Sequence, residues 1–183
     1  MTWLVGLCLA AVMIVAPVHK AHAQASASEY KLKAAYLYHF SQFVEWPESA
    51  QTGAFHVCVL GENPFGDGLL ALEKRKNARQ QTFEIHYPHS AEQAQHCHIL
   101  YLGLGQGSAL AGMLAQLRDA PVLTVSSLPA FVDRGGMIGF VIESGKVRLE
   151  INASAARQAK LKMSAKLMEV ARRVLDPAEK VAP

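Results

Sequence analysis

Charge is scarce in this chain and its two signs nearly cancel: charged residues make up 18% of 183 positions, with 18 Lys and Arg against 15 Asp and Glu. A formal net charge of +3 is too small to point to nucleic acid as a partner. Catalytic signatures are missing too. There is no Gly-x-Ser-x-Gly elbow and no His-Glu-x-x-His, and spacing alone names no nucleophile–base–orienter set, so the chain does not read as an enzyme. No repeat, linker or low-complexity segment divides it. A single domain follows.

The first apolar run, residues 3–18, falls short of the roughly 20 residues a membrane span needs and has the length of a signal-peptide core. Ala21-His22-Ala23 follows as an A-x-A cleavage site, so residues 1–23 read as a signal peptide and 24–183 as the mature domain. No Lys or Arg precedes the apolar run, which leaves an uncleaved anchor as the alternative. Removing 1–23 takes away one charge, Lys20, and leaves 17 basic against 15 acidic residues, a net charge of +2. From Lys146 onward nine Lys and Arg face four Asp and Glu, a bias that a solvated helix face explains.

Cysteine is also rare. Cys8 leaves with the signal, and Cys58 and Cys97 remain. In an oxidising compartment an even pair favours a disulfide, which would close a loop of about forty residues and contribute on the order of 3–4 kcal/mol. Two buried free thiols are the alternative.

What the chain has is alternation. Ala34, Leu37, Phe40 and Val44 recur at helical spacing, five aromatics crowd Lys33–Pro47, and Trp46-Pro47 stops the helix. Phe55–Gly61, Thr82–Tyr87, His98–Leu102 and Pro121–Val125 read as strands. Leu69–Lys76 and Ser108–Arg118 read as helices, and Ser127–Asp133 as a short one. Met137–Ile142 and Val147–Ile151 flank a tight turn and form a hairpin. Asn152 or Ser154 caps the next helix. Ser164 starts the last, with Leu167, Ala171 and Val174 inward and Lys166, Glu169, Arg172 and Arg173 outward. The pattern implies an α/β fold: a single three-layer domain, mostly parallel sheet with helices on both faces, and a C-terminal hairpin followed by helices.

Three motifs invite a ligand. Gly103-Leu104-Gly105-Gln106-Gly107 follows a strand but lacks dinucleotide-loop spacing, and glycines that permit a tight turn account for it better. Glu62–Gly68 is a turn-rich loop at a strand's carboxyl end, without the Gly-Lys-Ser/Thr of a phosphate loop. His86, His89, His96 and His98 surround Cys97. His86-x-x-His89 matches no standard helical ligand spacing, so the histidines read as structural, with no metal and no cofactor expected.

Six further segments carry a resemblance, in register along the chain. They are Phe55–Gly66 (Cys-Val-Leu-Gly, then Asn-Pro-Phe-Gly), His96–Leu102, Pro121–Ser126, Phe131–Ile138 (Phe…Gly-Gly-Met-Ile), Arg148–Ala156 (Arg-x-Glu-Ile-Asn…Ala-Ala) and Leu161–Val174 (Leu-x-x-Ser-x-Lys-Leu). Together with the aromatic helix they resemble the YfiR family, small periplasmic proteins that restrain a membrane-bound diguanylate cyclase. The resemblance implies an exported periplasmic regulator that binds the extracytoplasmic part of such a cyclase and lowers cyclic di-GMP. It also implies that Cys58 and Cys97 form a redox-sensitive disulfide. Some members carry a second cysteine pair around the Gly-Gly-Met-Ile segment, where this chain has Val132 and Gly139. For the partner patch, Phe131, Gly135, Gly136, Met137 and Ile138 are the candidates, since apolar residues beside glycines can sit exposed where a partner approaches; packing of these residues in the core is the alternative. Lys162 and Ser164, near the start of the final helix, are the candidates for an anionic small-molecule ligand. A homodimer is left open, and a periplasmic ligand-binding module without a cyclase partner is the alternative function.

Overall fold

The structure, a computed structural model, describes residues 18–176 apart from 104, 106 and 107, with side chains from 27 onward. The signal-peptide reading therefore lies largely outside the described residues. Helix α1 (Val18–Phe43) turns Ala34, Leu37 and Phe40 into the core at the spacing expected. It gives way to a two-residue strand, β1 (Val44–Glu45), ahead of Pro47. Trp46 is buried there, its indole N–H donating to the His98 carbonyl at 3.2 Å and its ring edge-on to Phe55.

Four parallel strands follow from the four apolar runs: β2 (Phe55–Leu60), β3 (Phe83–His86), β4 (Ile99–Leu102) and β5 (Leu123–Ser126). Helix α2 (Leu110–Leu117) crosses between β4 and β5, and β6 (Ile138–Glu143) and β7 (Lys146–Asn152) form the hairpin. The sheet order is β3-β2-β4-β5-β6-β7, parallel from β3 to β6, and a last short strand, Arg173–Leu175, joins the edge at β7. Its central strands are buried on both faces, as parallel strands must be. Val57, Val59, Ile99, Tyr101, Leu123 and Val125 share one apolar cluster with α1. Cys58, Leu60, Leu100 and Leu102 share another with Leu110, Met113 and Leu117 of α2. The three-layer α/β class is as expected.

Helix α3 (Ala153–Gln158) is capped by Asn152, whose Oδ1 accepts from the Ala155 amide at 3.0 Å. After it come β8 (Lys162–Met163), α4 (Ala165–Glu169) and β9 (Arg173–Leu175).

Three elements differ from the sequence reading. In place of a helix over Leu69–Lys76 there is a 3-10 turn, Gly66–Leu72, that buries Leu69 and Leu72; their three-residue spacing suits that tighter winding. Lys76 then leaves to bridge Thr82. Ser127–Asp133 is a series of turns: Ser126 Oγ accepts from the Leu128 amide at 3.0 Å, and Ala130 takes a φ of 52° that no helix tolerates. The last helix stops at Glu169, because the open edge of β7 takes up the backbone at Arg173–Leu175 in parallel register. Ala171 and Val174 still pack on the core, but Val174 does so from a strand. Arg172 and Arg173 are not merely solvated: they pair with Glu143, Glu150 and Asp133. Among the described residues, no helix is long and apolar enough to cross a membrane.

Candidate functional site

Cys58 lies in the middle of β2, and Cys97 ends the 3-10 turn Gln93–His96 that leads into β4. Their Cα atoms are 6.0 Å apart and the sulfurs are bonded. The disulfide ties β2 to the start of its neighbour and encloses β3 in the loop. Both cysteines are buried, yet they floor a pocket of about 420 Å³ walled by His56, His86, Tyr87 and His96.

Strand alternation builds that wall. His56 and Cys58 point to the same side of β2, and the parallel register sets them opposite Glu84 and His86 of β3. Four chemically active side chains therefore occupy one patch of one sheet face. His56 Nδ1 lies 3.0 Å from His86 Nε2, with the rings stacked at 4.8 Å between centroids. A Glu84 carboxylate oxygen is 3.4 Å from the same His86 nitrogen. Burial, then the neighbouring His86, hold the His56 pKa below its ordinary value. Behind them His98 stacks on Phe55, takes the His56 backbone N–H on Nδ1 at 3.0 Å and donates from Nε2 to the Ala50 carbonyl at 2.6 Å. Burial pushes its pKa down. The sequence reading missed His56 altogether. The clue was there, since His56-x-Cys58 on a strand puts both on one side, but the register with Glu84-x-His86 was not readable. His89 is exposed and takes no part in this patch.

Of the residues read as a partner patch, Gly135 alone is exposed, and the apolar side chains are not. Phe131, Met137 and Ile138 are 1%, 3% and 0% accessible and belong to the core. The glycines explain why. A Cβ on Gly136 would lie 2.2 Å from the Phe131 ring, so the chain can close over that ring only without a side chain, and Gly135 turns it with a φ of +97°. The same fold brings Val132 and Gly139 together: Val132 Cγ1 is 3.5 Å from where a Gly139 Cβ would be.

Lys162 is exposed and lines a cavity of about 190 Å³ with Met168 and the Arg157–Asp176 ion pair. Ser164 spends its hydroxyl on capping α4, accepting from the Leu167 amide at 3.2 Å, and does not line that cavity. At five residues α4 is too short to hold an anion at its N-terminus, so the two residues are not brought together as a site.

A further cluster went unread. Lys33 is buried on α1, its Nζ 2.5 Å from Glu29, 2.8 Å from Ser127 Oγ and over the Tyr30 ring. Tyr101 donates to the same Ser127 Oγ, and burial raises its pKa to about 12. The cluster sits at the carboxyl ends of β4 and β5, the rim where open α/β sheets place ligands, and α1 covers it. The Glu29–Lys33 spacing of four was legible in the sequence; the burial was not.

The YfiR/HmsC-like family model matches residues 30–172. Among solved structures, a conserved domain protein from Vibrio cholerae O1 biovar eltor is similar at 13% identity and a TM-score of 0.46, covering 66% of this chain and 54% of that one. The ABC domain in complex with L-Trp from Streptococcus pneumonia is similar at 11% identity and a TM-score of 0.48, covering 82% of this chain and 60% of that one. The match thus takes in little more than half the length of each of these two structures.

Proposed function

This chain belongs to the YfiR/HmsC-like family, and we propose that it is an exported periplasmic regulator that binds the extracytoplasmic domain of an inner-membrane diguanylate cyclase and represses it. The observation that carries this reading is the Cys58–Cys97 disulfide, formed by the pair that the family resemblance marks as redox-sensitive, within a match that takes in nearly the whole α/β domain. Such a regulator needs a stable binding surface and a way to lose it. Oxidised, the disulfide holds the β3 edge and the Gln93–His96 turn against β2. Reduced, that corner of the sheet keeps only its strand pairing and packing.

Anchors for the partner are then sought among exposed apolar side chains. Ile142 and Val170, 53% and 60% accessible, fit that requirement, whereas Phe131 does not. Truncating or charging a central anchor commonly costs 2 kcal/mol or more, about thirtyfold in affinity. The test uses the oxidised mature domain as bait on solubilised inner membranes, with cyclic di-GMP measured in a gene deletion. The expected result is capture of a cyclase and raised cyclic di-GMP on deletion. Ile142→Asp or Val170→Asp weakens capture while leaving Tm near wild type. Phe131→Ala instead destabilises the fold by about 3–5 kcal/mol. Unchanged cyclic di-GMP in the deletion under every growth condition tried would overturn the repressor reading.

A further inference from the structure

We propose that His56, Glu84 and His86 form a binding site for one divalent transition-metal ion of the imidazole-preferring kind, zinc or copper, on the edge of the sheet beside the disulfide. The site does not rest on the regulatory reading, and its test reads neither cyclase nor cyclic di-GMP.

The donors come from two adjacent strands whose register fixes them. His56 pairs with Glu84 across β2 and β3, and His86 follows Glu84 on the same side. Two imidazoles and one carboxylate are a donor set that zinc and copper take readily, and that leaves a coordination position open. The spacing agrees. Around a tetrahedral ion with bonds of 2.0–2.1 Å, neighbouring ligand atoms lie about 3.3 Å apart. His56 Nδ1 and His86 Nε2 are 3.0 Å apart, and His86 Nε2 and the Glu84 carboxylate 3.4 Å. All three donor atoms lie within 4.8 Å of one another, and rotation of the half-exposed Glu84 carboxylate closes the third edge.

The route in is open as well. The His86 and Glu84 side chains are 46% and 53% accessible, and His56 and His86 line an open pocket beside the disulfide, which leaves an ion's remaining position to water. Without an ion the two facing nitrogens share a single N–H. Ligation needs both lone pairs, so the donating imidazole moves its proton to its other ring nitrogen, and both rings stay neutral. The backbone behind is fixed: the His56 N–H is held by His98, which keeps β2 in place while the exposed partners close.

The experiment titrates zinc and copper(II) into the tag-free mature protein, disulfide intact, by calorimetry, with cobalt(II) as an optical probe of geometry. One equivalent is expected to bind with a dissociation constant in the micromolar range or below, and cobalt to give the intense visible bands of a tetrahedral site. His86→Ala and Glu84→Gln, both at exposed positions, should keep the wild-type Tm and weaken binding by tenfold or more. His89→Ala, outside the cluster, should change nothing. Absence of saturable binding below millimolar metal would overturn the proposal. So would binding that His86→Ala leaves intact or that His89→Ala removes.

Discussion

His98 is a histidine held in one protonation state by its neighbours. Its Nδ1 accepts the His56 amide, so a second ring proton would face a donor, and the ring stacks on Phe55 with Trp46 edge-on to it. Burial holds its pKa below 6.5 in the folded protein. Between that depressed value and 6.5 the unfolded chain binds more protons than the folded one, so stability is full above pH 6.5 and is lost as pH falls below it. His56 shifts the same way, through burial and His86. Melting curves should therefore show Tm falling as pH is lowered from 7.5 to 5, with a flatter dependence in His98→Gln at the cost of a lower Tm throughout. An equal slope in that variant would remove His98 from the account. At this scale legibility was uneven. The cysteine pair could be read from the even count in an oxidising compartment, because two thiols have few choices. Phe131 could not, because an aromatic beside two glycines looks the same whether the glycines expose it or fold over it. Only the 2.2 Å approach at Gly136 decides the matter.

The disulfide acts on elements rather than on residues. It encloses the 3-10 turn Gly66–Leu72 and the edge strand β3 in a loop with a sequence separation of 39. In the chain-entropy account such a link is worth about 3–4 kcal/mol, which for a domain of this size corresponds to a fall in Tm of roughly 6–15 °C when both cysteines become serine. Hydrogen exchange should show the loss concentrated in β3, which has a neighbour on one side only. Loss spread evenly over β4 and β5 would show that the bond does not hold this edge. The parallel strands were readable because each is a short apolar run bounded by turns. The β1–β8 pair and β9 were not, being two or three residues long with no period to detect. For β9 a helical spacing of Leu167, Ala171 and Val174 competed with an open strand edge at β7, and the edge won.

At the scale of the whole molecule, the helix that opens the domain carries both the proposed cleavage point and part of the core. Along α1 the first buried side chain among the described residues is Lys33, and the apolar face follows with Ala34 and Leu37. The proposed cleavage after Ala23 falls ten residues before Lys33, so the buried stretch of α1 from Lys33 onward stays whole in the mature protein. The mature protein, produced directly from Gln24, should therefore keep the Tm of the full chain within a degree or two, provided both are compared with the disulfide formed. The same chain confined to a reducing cytoplasm should carry two free thiols and melt near the double-serine variant. Mass spectrometry of periplasmic protein should find its terminus at Gln24, with no thiol titratable after unfolding. Recovery of the intact chain in the cytoplasm, or two free thiols in the exported protein, would sink the export reading and with it the redox role of the Cys58–Cys97 bond.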